Sequence, residues 1–413
     1  MRVLISGASV AGPVLAYWLA RHGFSVTVVE RAPTLRKTGG HAVDLFRPAM
    51  DIAERMGVLE RVQEAETGTR HLTYHRAGRR PVELEIGRLV SAVSDRHVEI
   101  MRDDLSEIFY ERSREDAEYV FGDSVTAISD DGEVSFERGR PRRFDLVVGA
   151  DGLHSNVRRL TFGAAEEHWI GAYLAVASVP NHLGLDGRME VAAGPGRIAG
   201  IYGAARLPDA RALFLFRPPA RLDYHHRDVP AQKRLLREAF AGMGWEVPRL
   251  LDEAGRARAF YFDSVTQLRL DTWSRGRVTL VGDAGYCPGP AVGGSTSLAV
   301  VGAYVLAGEL AAHGGDHTRA YPAYEHEISD YVRRSRAFAV AAAKRLVPAT
   351  NLDVWALAQG ARLVNRLPKA LTRRLAKLNT GGLRLHDSVT LKPYDGQSGS
   401  STVKPTGSPQ RLR

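Results

Sequence analysis

Several residue groups in this chain have types and spacings suited to chemistry. Gly7, Ala8, Ser9, Val10, Ala11 and Gly12 form a small-residue turn. It follows the apolar run Val3-Leu4-Ile5 and leads into a helical pattern with Val14, Leu15, Trp18 and Leu19 on one side. Val26-Thr27-Val28-Val29 reads as a second strand and ends on Glu30, about 20 residues after the turn. Strand, glycine turn, helix, strand and acid together predict dinucleotide binding. Gly7 would allow the sharp turn and Gly12 close packing of helix on strand. The helix N-terminus would offer free N–H groups and a positive dipole end to a pyrophosphate. Glu30 suits an unphosphorylated ribose hydroxyl. Ser9 replaces the usual middle glycine, and the pattern alone does not separate FAD from NAD.

Two later strands also end in glycine and aspartate: Leu146-Val147-Val148-Gly149-Ala150-Asp151-Gly152 and Val278-Thr279-Leu280-Val281-Gly282-Asp283. The second opens a glycine-proline loop containing Cys287, Pro288, Pro290, Gly293 and Gly294, then an apolar helix from Ser295 to Leu310. Arg102 stands where a strand ends and a helix begins, with an aspartate of the Asp103-Asp104 pair as the expected cap. His41, Asp44 and Arg47 follow two glycines in a short alternating segment. They are candidate substrate contacts, set against a structural salt bridge as the plainer reading.

The elements that must position these residues fall into two kinds. Alternating runs predict strands at Leu72–Ile86 (two, joined at Ala77-Gly78), His168–Val179, Met189–Ala193, Ile198–Tyr202, Ala212–Phe216 and Ala259–Leu270. They make an antiparallel sheet, with a helix over Gln232–Met243. Tyr202, Phe216 and Tyr261 could line its pocket, although such aromatics are more often core. Ala117–Glu137 reads as a small meander turning at Asp130-Asp131-Gly132. Helical patterns cover Tyr321–Val347, Leu352–Leu367 and Pro368–Leu378. The last two place Arg362, Arg366, Lys369, Arg373 and Lys377 near one face and Leu363, Leu367, Leu371 and Leu375 on another. A solvated face over the core is favoured above a lipid-binding one.

The 413 residues, 44% hydrophobic and 25% charged, suit a globular protein of two or three domains. The net charge of +9 is spread along the chain without a nucleic-acid motif, so no nucleic-acid partner is expected. Met1-Arg2 runs directly into a strand, and no apolar run approaches the about 18 residues of a membrane span. With Cys287 the only cysteine, the expectation is a cytoplasmic protein without disulfides or stable membrane association.

In this order the three motifs resemble the class A flavoprotein aromatic hydroxylases, the para-hydroxybenzoate hydroxylase family. The chain looks most similar to the actinobacterial antibiotic-tailoring and tetracycline-inactivating branch, over about Met1 to Leu378. The resemblance implies an α/β fold: a Rossmann-type FAD-binding domain with an inserted sheet-based substrate domain and C-terminal helices. The divisions expected are 1–71, 99–165 and 271–347 for FAD, 72–98 and 166–270 for substrate, a helical segment at 348–395, and a disordered tail at 396–413.

It implies non-covalent FAD, with Gly7, Ser9, Ala11 and Gly12 toward the pyrophosphate and Glu30 and Arg31 toward the adenosine ribose. Arg102 matches an arginine that reaches FAD. Asp151 matches an aspartate in touch with FAD and NAD(P)H, and Asp283 one near the ribityl chain and pyrophosphate. Pro290, Gly293, Gly294 and Ser295 match the loop passing the isoalloxazine ring. Departures stand at Gly285-Tyr286, Ser295 and Ser297. The implied reaction uses NADPH or NADH as transient co-substrate and O₂, and hydroxylates a phenolic or polycyclic aromatic small molecule through a flavin C4a-hydroperoxide. The setting implied is antibiotic biosynthesis, in a monomer or homodimer. Rival readings are a Baeyer–Villiger oxygenase, epoxidase or oxidase on the same scaffold, or a flavin-binding protein without turnover.

Overall fold

In the computed structural model, residues 1–35, 40–76, 78–86, 96–204, 207–290, 294–366, 385–386 and 388–394 are described. Gly293, the expected helix Pro368–Leu378 with Lys369, Arg373 and Lys377, and the tail from 396 lie outside them.

Val, Leu and Ile fill both faces of the strands Arg2–Ser6 and Leu146–Gly149, which are buried almost throughout. That pattern belongs to parallel strands covered on both sides. They lie at the centre of a six-stranded sheet ordered Ser274–Arg275, Val278–Leu280, Leu146–Gly149, Arg2–Ser6, Ser25–Glu30, Glu118–Phe121. Pairing is parallel from Val278–Leu280 onward, with Ile5 beside both Val28 and Val148. The carboxyl ends of three strands therefore share one edge, and Gly7, Asp151 and Asp283 follow them there. Open α/β sheets bind ligands at that edge.

A seven-stranded sheet runs Phe260–Arg269, Glu166–Pro180, Asp209–Phe216, Arg197–Gly203, Arg188–Gly194, His71–Arg76, Arg79–Glu85. It is antiparallel except where Arg188–Gly194 and His71–Arg76 run parallel. One face packs Tyr173, Phe214 and Phe216 against Leu236, Phe240, Leu250 and Ala254 of two helices. Between the sheets, the strand Ala42–Phe46 pairs with His97–Met101.

Three expectations need correction. Glu118–Phe121 is not part of a meander: it joins the main sheet beside Ser25–Glu30, and only Val125–Ile128, Glu133–Phe136 and Arg142–Arg143 form a small separate sheet. The helix expected at Gln232–Met243 is Val229–Ala239, because Asp228 caps it by accepting from the Ala231 N–H at 3.0 Å and Pro230 occupies its first turn. A second helix, Val247–Arg256, follows it. Leu363, expected on a packed face, is 60% exposed. In the helix Asn351–Arg366 it is Val354 and the small Ala358 and Ala361 that meet the sheet, at Tyr74, Val82 and Val191.

The helix Ser295–Ala312 has the length and composition of a membrane span, yet 78% of it is buried within the fold. The residues 388–394 form a strap across it. The Tyr394 hydroxyl donates to Glu309 at 2.6 Å, and Lys392 Nζ reaches Glu309 at 3.3 Å and Glu327 at 2.5 Å. Gly308 makes room for the Tyr394 ring, whose Cγ lies 2.2 Å from where a Cβ would stand. Gly308→Ala is therefore expected to cost about 1–3 kcal/mol through overpacking, and to expose the peptide bond after Tyr394 to chymotrypsin. Wild-type urea stability with unchanged cleavage would show that the strap does not depend on this contact.

Candidate cofactor and substrate site

The glycine turn is built by close approach. The Gly7 N–H donates to the Val29 carbonyl at 2.8 Å, and Gly7 has φ +111°, which favours glycine. A Cβ on Gly12 would lie 1.9 Å from the Gly7 carbonyl oxygen, so only glycine lets the helix Ala11–Arg21 start there. No side chain caps that helix, which leaves its first N–H groups available to an anion. Glu30 accepts from the backbone N–H of Ala8 at 3.0 Å and of Ala32 at 2.8 Å, and so ties the turn to the second strand. Arg31 is exposed.

Ser9 has a partner that a glycine would lack. Its Oγ accepts from Arg102 Nη2 at 3.1 Å and lies 3.3 Å from Ser106 Oγ. Arg102 opens the helix Arg102–Ser113, and its own N–H donates to the His41 carbonyl at 3.0 Å. The expected aspartate cap is absent: Met101 holds the N-cap position, without a side-chain bond. Asp103 instead accepts from the Gly40 N–H at 2.7 Å, which holds the segment before Ala42–Phe46 onto this helix.

The two later aspartates differ sharply. Asp151 accepts from the N–H groups of Asn156 at 2.8 Å and Val157 at 3.1 Å and from the Ser155 hydroxyl. Its carboxylate is occupied in starting the helix Asn156–Phe162, and burial raises its pKa despite these bonds. Asp283 has a buried oxygen, Oδ1, with no hydrogen-bond partner. Burial raises its pKa, and Arg102 and the neighbouring Cys287 thiol partly offset this. That thiol is fully buried and pushed well above its usual range, so it is a neutral filler. Gly282 sits against Ala11 and Ala299, its would-be Cβ 3.5 and 3.2 Å from their methyl carbons, so the third motif closes on the first.

These features test the fit to FAD. An uncapped helix start, a glycine cradle, a cation at Ser9 and a buried lone acceptor at Asp283 match a pyrophosphate flanked by sugar hydroxyls. Gly7, Ser9, Ala11, Gly12, Glu30, Arg102 and Asp283 are the residues that would hold it. Of the loop expected at the isoalloxazine ring, Pro290 is half-buried, and Gly294 and Ser295 begin the helix Ser295–Ala312. Ser297 is a bracket: its Oγ accepts from the Phe46 N–H at 2.9 Å and donates to the Asp44 carbonyl at 3.3 Å.

The candidate substrate contacts separate. Asp44 pairs with His97 Nε2 at 2.8 Å, the plainer reading of that residue. Burial alone would lower the His97 pKa, but Asp44, Glu99 and Glu66 reverse it and the net shift is upward. Glu99 lies opposite Asp44 in the ladder and bonds Thr67; burial and Asp44 raise its pKa. Arg47 opens the helix Arg47–Arg55. His41 remains: its ring centroid is 5.3 Å from that of Tyr261, and its pKa is lowered to about 4 by burial and by Arg102. Tyr202 is a tether, since its hydroxyl accepts from the Ala42 N–H at 2.9 Å. Phe216 belongs to the helix-side core. Arg211, which sequence reasoning passed over, donates from Nε to the Gly40 carbonyl at 3.2 Å and pairs with Asp209 at 2.7 Å. An arginine alternating with apolar neighbours in Ala210–Phe216 is the signal that marks it.

Comparison with known proteins agrees with this geometry. The model of the FAD binding domain family matches residues 1–182. The chain is 45% identical to an uncharacterized protein of Mycobacterium tuberculosis, over 81% of this chain and 91% of that one. It is 37% identical to a flavin-dependent monooxygenase of Legionella longbeachae, over 82% and 88%. Among solved structures it is similar to the tetracycline destructase Tet(51), with a TM-score of 0.81 and 32% identity over 95% of this chain and 99% of that one. With these likenesses added to the cradle at Gly7 and the lone acceptor at Asp283, the chain belongs to the FAD-dependent monooxygenases of the class A aromatic-hydroxylase family.

Proposed function

We propose that this monooxygenase takes reducing equivalents from NADPH or NADH and hydroxylates a phenolic or polycyclic aromatic small molecule in secondary metabolism. The observation that carries the reading is the meeting of the dinucleotide edge with a half-aromatic, half-polar wall. Arg102 acts electrostatically on both Asp283 and His41, and the His41 ring meets that of Tyr261. The similarity to a tetracycline destructase supports a polycyclic substrate. We take 1–71, 99–165 and 271–347 as the FAD domain, with 72–98 and 166–270 as the substrate domain.

FAD, when bound, supplies electron storage and oxygen activation. The chain supplies the rest. The uncapped helix at Ala11 would receive the pyrophosphate, Arg102 would add positive charge beside it, and Asp283 would accept from a sugar hydroxyl. The seven-stranded sheet covers the site and excludes water. His41 is neutral at physiological pH. It is too weak a base to strip a phenol, but it can hydrogen-bond and orient a phenolic hydroxyl.

The test is stopped-flow absorbance of the FAD-loaded protein with NADPH or NADH, across a panel of phenols and aromatic polyketides. Flavin bleaching accelerated by one compound, with a hydroxylated product, is expected. A flavin band that resists both nicotinamides would overturn the reading. Asp283→Asn is expected to weaken FAD binding about tenfold or more through loss of a charge-assisted bond. Its apoprotein should melt no lower than wild type, because a buried carboxylate with a raised pKa is itself unfavourable at neutral pH. Titration of apoprotein with FAD alongside thermal melts reads both.

His41 gives a pH test. Between its folded value of about 4 and the unfolded 6.5, the unfolded chain binds more protons at this site, so the contribution to stability falls as pH drops through that window. Wild type should lose about 1 kcal/mol per pH unit relative to His41→Asn, in urea titrations from pH 6.5 down to 4. Parallel pH profiles would place His41 in open solvent instead.

A further inference from the structure

The helix Ser295–Ala312 starts from Gly294, which is left-handed at φ +84°, and no side chain caps it. The room a Cβ on Gly294 would need is taken by the edge of the His386 imidazole. Its Cε1 and Nε2 are 2.1 and 2.2 Å from that position. His386 comes from the far end of the chain and is 1% exposed. Its ring lies flat on Phe46, with centroids 4.4 Å apart and planes 1° from parallel. Its Nδ1 meets the Tyr331 hydroxyl at 2.6 Å. Its Nε2 is buried without a partner.

With the Tyr331 phenol as donor to Nδ1, the imidazole proton lies on Nε2. Burial lowers the pKa to about 4, so the ring stays neutral. The result is a buried N–H donor whose ring edge lies against the glycine that begins an open helix N-terminus. A donor is costly to leave unpaired in the interior, and an acceptor arriving beside it would satisfy it. Phe46, under the ring, is tied through its N–H to Ser297 in the first turn of the same helix. Strand, helix start and imidazole are therefore joined by direct contacts.

We propose that His386 is a cofactor-contacting hydrogen-bond donor: its Nε2–H and the helix start at Gly294 together receive a carbonyl oxygen of the FAD ring system. The inference rests on the FAD assignment above. The chemistry fits, since the ring system of FAD carries carbonyl acceptors and gains negative charge on reduction. A neutral donor and a helix dipole both favour that charge. Tyr331 is a positioning residue, because it sets which nitrogen carries the proton.

Three readouts test this on the full chain: the FAD dissociation constant, the flavin absorption spectrum and the flavin midpoint potential. His386→Phe keeps a ring on Phe46 but has no N–H. It should weaken FAD binding about tenfold, the loss of one net hydrogen bond, and move the potential to more negative values. His386→Gln restores a donor and should recover most of both effects. Tyr331→Phe keeps the imidazole and should shift both in the same direction by less. Apoprotein melting curves establish that each variant is folded. If His386→Phe matches wild type in all three readouts, or folded His386→Gln is as impaired as the phenylalanine variant, the proposal is overturned. A change confined to substrate affinity also overturns it, by assigning the donor to the substrate. Wild-type apoprotein that takes up no FAD overturns the cofactor assignment itself, which separates the two failures.

Discussion

Much of this molecule depends on one contact, the Gly7 carbonyl oxygen resting where Gly12 would carry a Cβ. No other residue at position 12 lets the helix Ala11–Arg21 come so near the end of the first strand. With the helix there, Ala11 touches the glycine that begins the third motif, and Gly7 lies against the Ala150 carbonyl that begins the second. Three strands far apart in sequence thereby deliver their ends to one place. Ser9, carried on the same turn, is then close enough to hold Arg102. The site follows from steric necessity before any charge is considered.

Electrostatics then distinguishes positions that look alike. Asp151 and Asp283 both follow a strand ending in glycine, and both are raised in pKa by burial. Asp151 is answered by two backbone N–H groups and the hydroxyls of Ser155 and Ser6, so it serves architecture. Asp283 keeps an unanswered oxygen, and a native fold keeps such an atom mainly where function requires it. Asp44 shows the opposite case, a candidate contact that a neighbouring histidine has already claimed.

What could be read in the sequence was what periodicity and turn chemistry dictate locally. The parallel core strands, the glycine turn, the hairpin near Ala77 and the long strands of the second sheet all carry their own signal. Glu118–Phe121 was misplaced because a short edge strand alternates in the same way whichever partner it meets. The tethers of the site were hidden for a different reason. Tyr202 to Ala42, Asp103 to Gly40 and Arg211 to Gly40 join residues 63 to 171 positions apart, and no local window contains both ends. His386 was further out of reach, since its surroundings are assembled from Phe46, Gly294 and Tyr331. Leu363 misled because helical spacing shows which residues share a face, whereas small side chains decide which face approaches a sheet.

The sheet order also bears on how the protein comes into being. The central strand Arg2–Ser6 is made well before Val278–Leu280, which completes its flank, and before Ser295–Ala312, which covers it. Sequence separations this large make folding slow and leave apolar strand faces waiting for partners during synthesis. Until Val278–Leu280 is made, the third of the strands that meet at the nucleotide edge is missing. The edge that would receive the dinucleotide is therefore complete only once the late strand has joined the sheet.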